Sequence, residues 1–275
     1  YDCLFLVNNG KNMKFKRPNI PILMYGHDCW PVTNKGFQWV IDWVQPDIFL
    51  SSCLSCWQDY YKFPAKTKFV FYPFFDSLFF ARPNLNEKKF DLLIIGAQTA
   101  ALYNPRIILN RQLEEFSKKH ADYQIELSKL AGSGNVFRGG GVVKEDAETG
   151  LEMCFLNKWS EYLGSSKYVI FGRTEYPFVT GKHYETLGSG AIPIFPEVPD
   201  LKYLGIEPFK HYIPLSEVEG NNEKLAYYLD NYGKYRFIAE NAVKWYKENS
   251  DRLIFNNFED TIREITNYKY PKRLI

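Results

Sequence analysis

The chain lacks most of what would mark a membrane, secreted or metal-clustered protein. No stretch reaches the roughly 18 apolar residues that a membrane-spanning helix needs. Its most apolar run, Phe69 to Phe80 (FVFYPFFDSLFF), is interrupted by Pro73 and Asp76 and reads as a buried strand and its exit. Charge of one sign is also scarce. The net charge is +2 and no long basic run occurs, so nucleic acid is not an expected partner, although a local basic site stays open. The five cysteines, Cys3, Cys29, Cys53, Cys56 and Cys154, are odd in number and irregular in spacing, which excludes a disulfide framework and suits free thiols in a reducing, cytoplasmic setting. Cys53 and Cys56 form a single CxxC, but no second CxxC or HxxxH supplies the other two ligands of a structural zinc site. Its flanks do not resemble the helix start of a thioredoxin-type motif. No DxD-type metal motif stands in a convincing place, and no internal repeat or signal peptide is visible. The chain opens on Tyr1 rather than Met, as a fragment or a trimmed chain would.

What is present suits a two-domain globular protein. The length is 275 residues and 45% of them are hydrophobic, enough for two modest cores. The 22 Phe, 20 Tyr and 6 Trp serve chiefly those cores, with stacking on sugar rings as the rival use. Apolar strands alternate with amphipathic helices, the signature of parallel α/β folding. Strands are expected at Cys3 to Val7, Ile20 to Tyr25, "DIFLSS", "KFVFY", "FDLLIIG", "KYVIFG" and "AIPIF". Helices are expected at Lys35 to Gln45, stopped by Pro46, and from Asn104-Pro105, with Leu109, Leu113 and Phe116 as its buried stripe. "FLNKWSEYLGSS" reads as another helix, and three more close the chain, at "EKLAYYLDN", "YRFIAENAVKWYKEN" and "LIFNNFEDTIREIT". Arg82 to Lys89 reads as a polar linker. Gly132 to Gly150 is a Gly-rich loop in which Arg138 offers either a phosphate nest or an ordinary surface turn.

The segment "GKHYETLGSGAIPIF", Gly181 to Phe195, carries the most chemistry. A strand, a loop, a helix and a second strand make a crossover that is right-handed almost without exception. That places the helix start at the carboxyl edge of the sheet, where α/β folds bind ligands. Free amides at Gly181, Lys182 and His183, with the helix dipole, make an anion site. Lys182 adds charge and Gly181 allows close approach. Lys182 and Glu185 share one helix face, while Tyr184 and Leu187 suit the core. The pair is either an ordinary surface ion pair or a phosphate cation beside an acceptor for sugar hydroxyls.

The stretch "YETLGSGAIPIF" resembles the glutamate-glycine-proline segment of GT-B glycosyltransferases, of the GT4 type and the CgeB-like, spore-maturation type in particular. The resemblance extends through "FDLLIIGAQTAALYNPRIILNRQL", "PFFDSLFF" and "LKYLGIEPFKHYIPLSEVEGNNEKLAYYLDN", and covers most of Phe90 to Ser250. It is loose over the first 85 residues. It implies a GT-B-like α/β fold: two Rossmann-like domains with parallel sheets facing a cleft, the first domain short, with C-terminal helices. The implied division is 1–85 for the acceptor side, 86–255 for the nucleotide-sugar donor domain, and 256–275 for a final helix and tail packing back on the first domain.

The resemblance also implies roles. Glu185 matches the glutamate that holds the ribose, and Gly190 and Pro193 match the glycine and proline that follow it. Gly96 and Arg106 fall near the diphosphate, where Arg173, Thr180, Gly181, Lys182 and His183 would join them. The donor would be a UDP- or GDP-sugar, with no obligatory metal, since the protein supplies the cations. The acceptor would be a glycan or another hydroxyl-bearing molecule, and the enzyme a hexosyl- or pentosyltransferase. The family's second glutamate, eight residues before Glu185, is replaced by Pro177, with Glu175 two residues earlier. Asp28, or His27 beside it, is the candidate catalytic base at a strand end; the rival reading of Asp28 is a cap of the following turn, as Asp often is. Asp76 is a hinge candidate, and His120 and His211 are read as non-catalytic. The competing readings are a non-catalytic nucleotide-sugar-binding module and a GT-B-fold nucleotide-sugar epimerase.

Overall fold

The computed structural model describes residues 4–8, 21–26, 37–63, 66–69, 83–96, 104–127, 162–174 and 177–266. The chain divides into two compact units: Tyr1–Phe74 with Ser250–Ile275, and Phe75–Asn249. His27, Asp28, Asp76, Arg138 and Glu175 lie outside the described residues, as do Cys3, Cys29 and Cys154.

The first unit holds a parallel sheet of β1 (Leu4–Asn8), β2 (Ile22–Gly26), β3 (Ile48–Ser51) and β4 (Lys66–Phe69), in that spatial order. Strands β2 and β3 are buried at every position, as expected of parallel strands covered on both faces. Helix α1 (Phe37–Val44) buries Ile41 and Val44 and exposes Trp39 and Trp43. Gln45, at φ 45°, and Pro46 end it. Gly26 closes β2 because nothing larger fits: a Cβ there would lie 2.5 Å from the Phe49 ring and 2.9 Å from Trp57. The CxxC reading of two thiols outside any disulfide holds, with one change. Helix α2 (Leu54–Tyr60) does begin there, with Cys53 as its N-cap. Both Cys53 and Cys56 are buried thiols outside any disulfide, Cys53 Sγ lying 3.3 Å from Ser51 Oγ, so the motif packs the sheet.

The second unit holds β5 (Phe90–Ile94), α3 (Asn104–Lys119), β6 (Ile125–Leu127), β7 (Ser166–Ile170), α4 (Gly181–Ser189), β8 (Ile192–Phe195) and β9 (Ile213–Pro214). Two helices follow, α5 (Asn222–Asp230) and α6 (Tyr232–Thr266). The five strands are parallel in the order β6-β5-β7-β8-β9. The order reverses direction between β5 and β7, which is the topological switch point of a doubly wound sheet. Alternate residues Leu92, Ile94, Tyr168, Ile170, Ile192 and Ile194 pack with Leu109, Leu113 and Phe116 of α3 and with Leu225, Ile238 and Ala239 of α5 and α6. The Tyr168 hydroxyl donates to the Tyr228 carbonyl at 2.6 Å and the Tyr228 hydroxyl to Glu217 at 3.1 Å, so both buried phenols of this core are satisfied.

Two sequence expectations change here. The last two helices are one: α6 runs unbroken for 35 residues, because its interior after Gly233 contains neither Pro nor Gly to interrupt the ladder. The polar stretch before β5 is not a free linker either. The Lys88 ammonium donates to the carbonyls of Asn84 (2.6 Å), Gly164 (2.9 Å) and Gly190 (2.8 Å), and Asn84 N–H donates to the Ser189 carbonyl.

Candidate functional site

The second unit contains a cavity of about 480 Å³ at the carboxyl ends of β7 and β8, lined by Pro105, Arg106, the Phe171–Thr174 turn, Phe178, Thr180, His183 and Glu197, among others. It sits beside the switch point because each contributing loop leaves the same edge of the sheet. The chain after β5 returns to start α3 at Pro105 and Arg106. The chain after β7 forms the Phe171–Thr174 turn and then starts α4.

Arg106 is only 3% exposed, yet it faces this cavity. Two glycines make its channel. A Cβ on Gly172 would lie 2.8 Å from Arg106 Cγ, and one on Gly96, at φ 125°, would lie 3.3 Å from Cδ. Gly96 therefore serves the arginine rather than forming the cavity wall. Its charge reaches the helix start as well: burial first, and then the Arg106 guanidinium, hold the Lys182 ammonium below its ordinary pKa, with Glu185 opposing. Arg173 lines the cavity too, and pairs at 3.1 Å with Glu219.

The start of α4 is a reciprocal cap. Thr180 is the N-cap, in extended conformation, and its backbone N–H donates to His183 Nδ1 at 3.0 Å. The His183 ring stands edge-on to Phe171 (4.9 Å) and Phe195 (4.8 Å), and Tyr212 stacks on Phe195. Burial in this aromatic slot, outweighing the Thr180 bond and helped by Lys182 and Arg106, pushes the His183 pKa down to about 3. The ring is neutral at any ordinary pH. Because Nδ1 accepts, the ring proton resides on Nε2.

The structure thus brings Arg106, Arg173, Thr180 and His183 to one cavity. Gly181, Lys182 and Glu185 follow on the same helix start without lining the wall; Lys182 and Glu185 are half-buried, while Tyr184 and Leu187 are fully buried as expected. Gly190 is at the far end of α4, a left-handed C-cap at φ 86° pressed against the Asn84 backbone. Pro177, which replaces the expected second glutamate, is part of the cavity wall. His211 is buried, its Nδ1 accepting from Glu207 N–H, and does not line the cavity. His120 follows α3 and stacks on Phe116. Sequence reading missed Glu197, an exposed carboxylate at the cavity mouth that accepts from the Ser216 hydroxyl. Its one signal was position, directly after β8 at the ligand edge. Among the described residues, no group of three or more His, Cys, Asp or Glu could hold a metal ion, and no helix is long and apolar enough to cross a membrane.

No family model and no curated protein sequence matches the chain. Solved structures do. A glycosyltransferase from Rickettsia africae ESF-5 is similar with a TM-score of 0.58 at 11% identity, over 92% of this chain and 72% of its own. Sucrose-phosphate synthase from Thermosynechococcus elongatus gives 0.57 at 10%, over 91% and 69%. Anabaena HepE, solved with UDP-glucose, gives 0.53 at 10%, over 89% and 72%. At these identities the likeness speaks for architecture: parallel α/β units with this order of elements are the fold of the GT-B glycosyltransferases.

Proposed function

We propose that the chain is a glycosyltransferase that moves a sugar from a UDP- or GDP-sugar to an acceptor hydroxyl. One observation carries the reading: a nearly buried arginine, held in a two-glycine channel, meets the start of α4 at a single cavity beside the switch point. The buried arginine and the positive end of a helix dipole suit a diphosphate. In the transfer, the acceptor oxygen bonds to the anomeric carbon and loses its proton to a base. The bond from that carbon to the diphosphate breaks, and the nucleoside diphosphate leaves with the electron pair. Arg106, Arg173 and Lys182 would stabilise the charge that develops on the leaving group.

Two carboxylates can accept from sugar or ribose hydroxyls. Glu185 is the one the family resemblance implies; Glu197 is the one at the cavity mouth. The acceptor-side base is Asp28 or His27, on the sequence reading. Loss of transfer with nucleotide binding intact is the expected result for Asp28→Asn.

A calorimetric screen of UDP, GDP, ADP and CMP and their sugars tests the donor assignment, followed by turnover of the bound donor without acceptor. Binding of one nucleotide that is lost in Arg106→Ala supports it. No binding at millimolar concentration defeats it. A second reading, a binding module without catalysis, is favoured by Pro177 standing in the cavity wall where the resemblance expects a glutamate. Tight nucleotide binding with no sugar transferred or hydrolysed would select that reading.

A further inference from the structure

We propose that His183 is a fixed, uncharged hydrogen-bond donor to the bound ligand, its Nε2–H meeting a phosphoryl oxygen in the cavity. The inference rests on the nucleotide-sugar reading and adds to it an atom, a tautomer and a charge state. His183 is 2% exposed, lines the cavity, and its Nε2 has no hydrogen-bond partner among the described residues. A buried donor left unmade is costly, and native structures rarely carry one without a use. The other ring nitrogen is already spent on the Thr180 N–H, so rotation of the ring cannot hide the donor without breaking the cap.

The surroundings choose the acceptor. Among the described residues, the charges felt at the ring are those of Lys182 and Arg106, and its neighbours include the Phe171 and Phe195 rings and Thr180; Arg173 and Glu197 line the same cavity. The Arg106 and Lys182 side chains, the positive end of the α4 dipole and an unpartnered buried N–H on a cavity-lining ring together favour an anionic oxygen. The same surroundings keep a second proton off the ring. In the ligand-free protein His183 is therefore neutral across pH 5 to 8.

Two variants separate the ligand bond from the cap. In His183→Asn the side-chain oxygen stands near the Nδ1 position and can still accept from Thr180, but no donor reaches the cavity. In His183→Gln the amide nitrogen stands near the Nε2 position, so the ligand donor is kept and the cap is lost. We expect Asn to weaken UDP and inorganic pyrophosphate by about 10- to 100-fold with little change in melting temperature. Gln should lower the melting temperature yet bind more tightly than Asn. Nitrogen-15 NMR of the wild-type ring should show the Nε2–H tautomer throughout pH 5 to 8. Equal UDP affinity in wild type and Asn overturns the inference while leaving the nucleotide reading intact, and an Nδ1–H or titrating ring overturns it as well. Binding of pyrophosphate but of no nucleotide, with the same loss in Asn, supports the donor and defeats the nucleotide. No binding of either probe to the wild type defeats both.

Discussion

The two ends of α4 are built from similar small and polar residues and serve opposite purposes. At the C-terminal end the protein satisfies itself. Gly190 adopts φ 86°, a Cβ there would lie 2.6 Å from the Asn84 carbonyl oxygen, and Lys88 donates to the Gly190 carbonyl. At the N-terminal end the cap satisfies one ring nitrogen of His183 and leaves the other without a partner, on a ring that lines a cavity together with Arg106. The first end is closed by packing and backbone bonds; the second keeps an unmet buried donor. Both lie in the segment whose sequence drew attention first, but only one of them reaches the cavity.

That contrast can be broken from either side. The largest expected effect is on the closed end. Gly190→Ala forces a side chain into the Asn84 backbone at a positive φ and should cost about 2–5 kcal/mol in denaturant unfolding. Lys88→Ala removes three charge-assisted bonds to backbone carbonyls and should cost about 2–3 kcal/mol. In both variants, nucleotide affinity at a temperature where the protein is folded should match wild type. A loss of affinity comparable to that of Arg106→Ala would mean that the two ends are not separable.

The open end predicts a pH signature. The His183 ring stays neutral in the folded protein down to about pH 3, whereas in the unfolded chain it takes a proton below about 6.5. Acid therefore favours the unfolded chain, and stability falls as pH drops from about 6.5 towards 3. The slope from this one group is at most about 1.4 kcal/mol per pH unit. The difference between wild type and His183→Asn isolates it, and parallel pH–stability curves for the two would refute the buried neutral ring. The smallest effect concerns the carboxylates. About tenfold weaker binding of a nucleotide in Glu185→Ala, with Glu197→Ala unchanged, places the ribose contact on the helix. The reverse result places it at the cavity mouth.

Much of the fold was legible from local patterns. The β5, β7 and β8 strands each carry a short apolar run (Leu92–Ile94, Tyr168–Ile170 and Ile192–Phe195), α3 carries its stripe at Leu109, Leu113 and Phe116, and the crossover rule put the α4 start at the carboxyl edge of the sheet. Strands β6 and β9 were harder, since three and two residues are too few to show a period. Helix α2 was not expected, because the flanks of its CxxC do not resemble a known helix start. The Lys88 bonds were illegible because their acceptors, Gly164 and Gly190, lie 76 and 102 residues away.

The sequence by itself determined the alternation of strands and helices and the concentration of cations and glycines around one helix start, because those follow from neighbours three or four residues apart. Tertiary structure alone decided which of those residues share a cavity. It brought Arg106 through a channel between Gly96 and Gly172 to the same cavity as His183, and it added Glu197 at the mouth. It also set Gly190 to structural duty. The physical reason is that a side chain's function depends on what is left unsatisfied after packing, and packing joins residues that the chain keeps far apart.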